Sequence, residues 1–220
     1  DNTAKLWSFE EAGLPHTLSG HTDAVSSIRF SGRGTVLTTS FDRSVRVWSL
    51  KDLNVLQVFD GHDSSVTDAR FFRDGRYVVS ISSDETTRLW DAASGLELNR
   101  LRCPEGAPTS LSVNSVNAQL AVGTMGRSIR LWSVASSLIA DPVKVFEHPV
   151  GSSALSPKAG LISVGNLSGD VAVWDLKSRR RVRSFERPSS FVRGVGFGPG
   201  GRGLIAAFQD GQVKYWEEGS

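Results

Sequence analysis

The chain has one cysteine, Cys103, one methionine, Met125, and two tyrosines in 220 residues. A single thiol excludes any internal disulfide, and that count fits a reducing intracellular compartment. No apolar run nears the roughly 18 residues of a membrane span, so no membrane partner is expected. No N-terminal stretch reads as a signal peptide. The chain begins at Asp1 without a methionine, and so reads as a portion of something longer. Four scattered histidines and one cysteine have no metal-ligand spacing, so neither a metal nor another cofactor is expected. No phosphate-binding glycine loop precedes a helix. The segment GFGPGGRG at 196–203 is glycine-rich but lies between two strand-like runs, where a turn suffices. No segment sustains an apolar period of about 3.6 residues over helical length. The remaining composition, 39% hydrophobic and 22% charged, is that of a globular chain, long enough to bury a core without cross-links.

Tryptophan, by contrast, is present and regular. Trp7, Trp48, Trp90, Trp132, Trp174 and Trp216 are separated by 41, 42, 42, 42 and 42 residues. So scarce a residue at so constant a spacing marks an internal repeat. Within the first full interval, apolar residues alternate over 25–30, 36–39, 45–48 and 55–59, with SGRG, a Phe-Asp-Arg turn and LKDLN between them. Short runs at even spacing, bounded by glycine and aspartate, predict strands. Four strands per repeat, with Trp closing the third, is the pattern of a β-propeller blade.

With its companions this pattern resembles the WD-repeat family over essentially the whole chain. Gly-His occurs as Gly20-His21 and Gly61-His62, and Trp-Asp as Trp90-Asp91 and Trp174-Asp175. A turn aspartate stands six residues before the tryptophan at Asp1, Asp42, Asp84 and Asp210. The resemblance implies an all-β chain of four-stranded antiparallel blades, about five of them, within a ring of about seven. A closed five-blade ring is the alternative. One domain over 1–220 would hold a partial repeat at 1–7 and repeats at 8–48, 49–90, 91–132, 133–174 and 175–216.

In that family a His, a hydroxyl, the turn Asp and the Trp form a buried tetrad. The matching sets are His21, Thr38, Asp42 and Trp48, then His62, Ser80, Asp84 and Trp90. A His, a hydroxyl and an Asp could also serve a hydrolase, but two copies in one register favour a structural network. No catalytic residue and no small-molecule substrate are assigned. The later repeats put Val122, Val164 and Ala206 at the hydroxyl position, and Pro104 and Pro188 at the His position of the third and fifth. Gly126 and Ser168 replace the turn Asp in the third and fourth. His148 reads as a surface residue or a displaced tetrad His.

The family's usual role is a platform for protein or peptide partners inside multiprotein assemblies of the cytoplasm or nucleus. Its contact positions map onto Ala24, Ser26 and Phe41, onto Ser65, Thr67 and Ser83, and onto Ala107, Thr109 and Met125. The last two repeats give Pro149, Gly151 and Leu167, then Phe191, Arg193 and Gln209. Phe41, Met125, Leu167 and Phe191, with Arg193, suit interface anchors. Alternatively, each apolar side chain turns inward and covers its neighbour. Residues 175–220 carry nine Lys or Arg against five Asp or Glu. Lys177, Arg179, Arg180, Arg181, Arg183 and Arg187 lie on the loop and outermost strand of one blade. They suit an acidic partner or the phosphates of RNA in a ribonucleoprotein particle. A charged outer strand that resists edge pairing is the alternative.

Overall fold

Turn residues cut each interval into runs too short for helices, and those runs pair as antiparallel strands. The computed structural model describes residues 1–8, 14–116, 118–133, 138–139, 143–157, 160–185 and 190–217. In the first interval the strands are Val25–Phe30, Thr35–Ser40, Ser44–Ser49 and Val55–Asp60. Each falls on an expected run, extended by at most one residue at either end.

Six sheets follow in chain order. Sheet I pairs Ala4–Leu6 with His16–Leu18. Sheet II holds the four strands just given, and sheet III holds Val66–Phe72, Tyr77–Ser82, Thr86–Asp91 and Glu97–Arg102. Sheet IV has Pro108–Asn114, Gln119–Thr124 and Ser128–Ser133, then a fourth strand broken into Leu138–Ile139 and Val143–Lys144. Sheet V has Val150–Leu155, Leu161–Asn166, Val171–Asp175 and Arg180–Phe185. Sheet VI has Val192–Phe197, Leu204–Phe208 and Val213–Trp216. The glycine-rich segment between its first two strands adds one 3-10 turn at Pro199–Gly201. No helix among the described residues is long and apolar enough to cross a membrane.

The chain divides into two compact units, the first from Asp1 to Arg102 and the second from Cys103 onward. Within each, sheets stack face to face in sequence order. The second strands TVLTTS of sheet II and LISVGN of sheet V are buried along almost their whole length, because each of these sheets has a neighbour on both faces within its unit. Within each unit, tryptophans pack on the sheet before their own. Trp48 joins Ala4 and Leu18 of sheet I. Trp90 joins Leu37, Val45 and Phe59 of sheet II, with its ring 5.6 Å from that of Phe59. In the second unit Trp174 packs with Ile129 and Ala121 of sheet IV, and Trp216 with Phe185 of sheet V.

First strands carry a second device. In sheets II to VI each is bulged against its second strand at the same register, leaving Ser26, Thr67, Thr109, Gly151 and Arg193 outside the pairing. A bulge bends the strand and redirects one side chain. The Ser26 hydroxyl donates to the Val66 carbonyl at 2.6 Å, and that of Thr109 to the Val150 carbonyl at 2.6 Å. These bonds tie the first strand of sheet II to that of sheet III, and the first strand of sheet IV to that of sheet V.

Close approach also selects glycine at this join. A Cβ on Gly165 would lie 2.3 Å from Val192 Cγ1 and 2.7 Å from its Cβ, neither free to move within a strand. Gly165→Ala should therefore destabilise the protein by about 1–3 kcal/mol through overpacking. Urea unfolding measures this, and an unchanged midpoint would show that the two sheets separate easily.

Candidate functional site

Two polar networks lie inside the first unit. The indole of Trp48 can only donate, so its N–H gives a 2.8 Å bond to Thr38 Oγ1. The Thr38 hydroxyl proton is then free for His21 Nε2 at 2.7 Å, and His21 Nδ1–H donates to Asp42 Oδ2 at 2.8 Å. Asp42 further accepts from the Ser44 hydroxyl at 2.7 Å and the Thr22 N–H at 3.0 Å. Every donor has an acceptor with His21 neutral. The second network repeats this with Trp90, Ser80, His62 and Asp84 at 2.9, 2.7 and 2.8 Å.

Both sets are sealed. The side chains of His21 and Asp42 are 1% and 5% exposed, those of His62 and Asp84 0% and 4%. Thr38 and Ser80 are completely buried. A hydroxyl that no substrate can reach, holding an indole proton on its lone pair, is not a nucleophile. Burial pushes both imidazoles below their ordinary range, against the pull of Asp42 and Asp84. Burial alone would raise the carboxyls. Instead, bonds from Ser44, His21 and backbone N–H groups hold Asp42 well below its usual range, and those from Thr86, His62 and Asp63 hold Asp84 at about 2.

An arginine two residues before the tryptophan completes the second network, although the motifs of Gly-His and Trp-Asp do not reveal it. Its sequence signal is Arg-x-Trp, written at Arg46, Arg88 and Arg130. Arg88 is 1% exposed, donates to Glu97 at 2.9 Å, reaches Asp84 at 3.4 Å and lies over the Trp90 ring. It also explains Gly61. A Cβ there would stand 3.0 Å from Arg88 Nη1 and 3.1 Å from Trp90 Cη2. Gly20 stands in the same relation to Arg46 and Trp48.

The second unit dismantles the network in two ways. In sheet IV Arg130 remains, and Glu105 brings the carboxylate, accepting from Arg130 Nη2 at 2.8 Å. A Cβ at Gly126 would fall 2.0 Å from the Glu105 carbonyl, so the turn Asp and Glu105 exclude one another. In sheet V the polar members become apolar together, with Phe146, Val164 and Ala172 sharing one cluster. Phe146, not His148, holds the His position. The Leu167 N–H bonds to the Pro149 carbonyl at 3.0 Å, just as Phe41 bonds to Ala24 at 2.9 Å. His148 is exposed two residues further on. The replacement is incomplete, because Nε1 of Trp132 and Nε1 of Trp174 are buried without a partner among the described residues. Sheet VI keeps Asp210 for its turn, accepting the Gln212 N–H at 3.0 Å, while Pro188 lies outside the described residues.

The mapped contact positions separate by role. The same turn-closing bond recurs at Ser83, Met125 and Gln209, so the residue before the turn Asp is held in one backbone geometry throughout. Phe41 and Met125 stand out there at 46% and 47% exposure, and Phe191, whose carbonyl accepts the bond from Gln209, is 47% exposed. Leu167 is half-buried, and its Cδ2 approaches within 3.0 Å of where a Gly151 Cβ would be. It leans onto its own first strand. Ser26 and Thr109 are engaged in the ties between sheets, and Thr67 donates to the Ile81 carbonyl at 3.3 Å. Arg193 is exposed and donates to Gln209 at 2.8 Å.

The basic segment follows Trp174-Asp175, whose carboxylate accepts the Ser178 N–H at 2.6 Å and hydroxyl at 2.7 Å. Asp91 closes the loop after Trp90 in the same way. Lys177 lies in this loop, Arg179 takes a φ of 57°, and Arg180–Phe185 forms the outer edge of sheet V. Arg180, Arg181 and Arg183 have no ion pair among the described residues. Arg183 sits over the Phe185 ring at 5.2 Å. An aromatic does accompany the arginines, but its ring is already packed against Trp216 at 4.7 Å. Arg187 lies outside the described residues.

The family model for the WD domain, G-beta repeat, matches residues 13–49, 53–91 and 179–217, together just over half of the chain. Both intact tetrads fall in the first two matches. The unmatched 92–178 contains sheet IV and the first three strands of sheet V, where the network is replaced on the same strand topology. The protein tipD of Dictyostelium discoideum is 26% identical over 118 residues, covering 53% of this chain. The chain spans only 19% of that protein's length.

The imidazoles and carboxylates titrate below their unfolded values, so the unfolded chain binds more protons as pH falls. Stability should be greatest near neutrality, decline as pH drops through about 6.5, and decline again below about 4. A urea midpoint that stays level or rises between pH 7 and 5.5 would contradict neutral buried histidines. Trp48→Phe leaves Thr38 one donor short, whereas Trp132→Phe removes an N–H that has no partner among the described residues. The first should cost about 1 kcal/mol more than the second, and equal losses would deny the network its worth.

Proposed function

This chain belongs to the WD-repeat family, and we propose that it is a non-catalytic interaction scaffold within a larger intracellular assembly of the cytoplasm or nucleus. Members of the family generally act as platforms for protein interaction. The proposal places the six sheets within a larger ring of about seven blades. The observation that carries it is the recurrence of one turn-closing bond with large apolar residues outward, Phe41 and Met125 as its donors and Phe191 as its acceptor. Apolar side chains on rigid backbone lose little entropy on binding and suit the anchoring of a partner. The buried networks support the same view, since their polar groups are satisfied internally and none of the tetrad atoms is open to a substrate. No group of three His, Cys, Asp or Glu side chains among the described residues is placed to hold a metal ion.

A second reading rests on the exposed arginines of sheet V, which could contact RNA phosphates. Affinity purification of the full-length parent protein, split with and without ribonuclease, separates the two. Partners that survive nuclease favour the scaffold, and partners lost with it favour RNA. Phe41→Ser and Met125→Ser should each weaken recovery of the surviving partners while leaving the melting temperature nearly unchanged. A large fall in melting temperature with recovery intact would make these residues part of the fold instead.

A further inference from the structure

Where the fourth strand of sheet IV is broken, a cavity of about 330 Å³ opens between Lys144–His148 and the edge of sheet V. Val145, Phe146, Val171 and Phe185 line its apolar part, and the first three are buried. Lys144, His148, Arg181 and Ser184 supply donors around it. Its two acids are already engaged. Glu147 pairs with Lys144 at 3.0 Å, and Asp170 accepts from Asn166 Nδ2 at 2.6 Å. Arg181 has no ion pair among the described residues, and neither have Arg180 and Arg183 on the same strand. Arg180–Phe185 pairs on one side only, with Val171–Asp175, so its other edge offers backbone donors and acceptors.

Building on the scaffold reading, we infer that this cavity and edge bind an extended acidic peptide segment carrying one apolar side chain. Three features point to one occupant. The open edge accepts a further strand. The uncompensated guanidiniums favour carboxylates, and the cavity is at the small end of ligand sites, sized for a single apolar side chain with its flanking backbone. RNA fits the same place less well. Phe185 is occupied by Trp216 and Arg183, so its ring offers no free face for a base.

The test uses the whole chain and a fluorescein-labelled nonapeptide of alternating Glu and Thr with a central Leu, read by polarisation. Saturable binding should weaken about tenfold or more in Arg181→Glu. It should weaken also in Ser184→Trp, which fills the cavity without changing charge, and when the central Leu becomes Gly. Thermal melts confirm that both variants fold. Absence of saturable binding, equal binding of the Gly peptide, or displacement by a decameric oligouridine at lower concentration than by unlabelled peptide would each overturn the inference. Purification of the parent protein carrying Arg181→Glu or Phe41→Ser keeps the two claims apart. Partners lost only with Phe41→Ser leave the scaffold standing and remove the cavity from it, whereas partners retained by both variants count against the scaffold too.

Discussion

The tryptophans that close the third strands govern the rest of the structure, because Trp48, Trp90, Trp174 and Trp216 bridge their own sheet to the one before it. A four-stranded sheet of this size has two apolar faces and cannot cover either alone. Trp48 on Ala4 and Leu18, Trp90 on Phe59, and Trp216 on Phe185 are one contact made repeatedly. The constant spacing of 41 or 42 residues follows from it. An inserted or deleted residue within a strand would turn the next tryptophan to the wrong face. Loops can vary instead, and the variation is found there, as in the broken fourth strand before Val150.

Burial of an indole creates a second demand, a partner for its N–H. The first unit meets it with a hydroxyl, and the chain of bonds runs on through imidazole to the turn carboxylate. This couples a core contact to the loop where partners are expected to dock. The second unit meets the demand less completely. Phe146, Val164 and Ala172 replace His, hydroxyl and Arg as a group, which avoids a half-satisfied network. The indoles of Trp132 and Trp174 nevertheless keep buried N–H groups with no partner among the described residues. Such groups cost about 1–3 kcal/mol each.

Much of this was legible in the sequence because the repeat reports itself. Strand positions and turn aspartates were readable from register, and the members of both tetrads from the resemblance to the WD-repeat family. What escaped was set by three-dimensional exclusion. The sequence had Gly126 as a lost aspartate, whereas the structure has it as the space that admits Glu105. His148 drew notice as a histidine, but the register is fixed by the Leu167 bond to Pro149 and puts Phe146 in its place. Arg88 was legible in principle, through Arg-x-Trp, but a charged residue in an apparently solvent-facing pattern gives no sign of being 1% exposed. The bulges left no mark at all, since a bulge is a relation between two strands.

These relations bear on where function can reside. At the mapped contact positions, the hydroxyls of Ser26 and Thr109 join sheets and are not available to a ligand. Leu167 folds back on Gly151. The large side chains that remain outward are Phe41, Met125, Phe191 and Arg193, with the smaller Ala24 and Ser83 and the polar Gln209 exposed as well, together with the arginines on the edge of sheet V. Two surfaces of different chemistry thus persist after the fold has taken what it needs. One is apolar and carried on turns clamped by the same backbone bond. The other is cationic and lies on an unpaired strand beside a cavity. A rigid stack of repeats can present both without either disturbing the core, because each sheet owes its stability to its neighbours and not to its exposed edge.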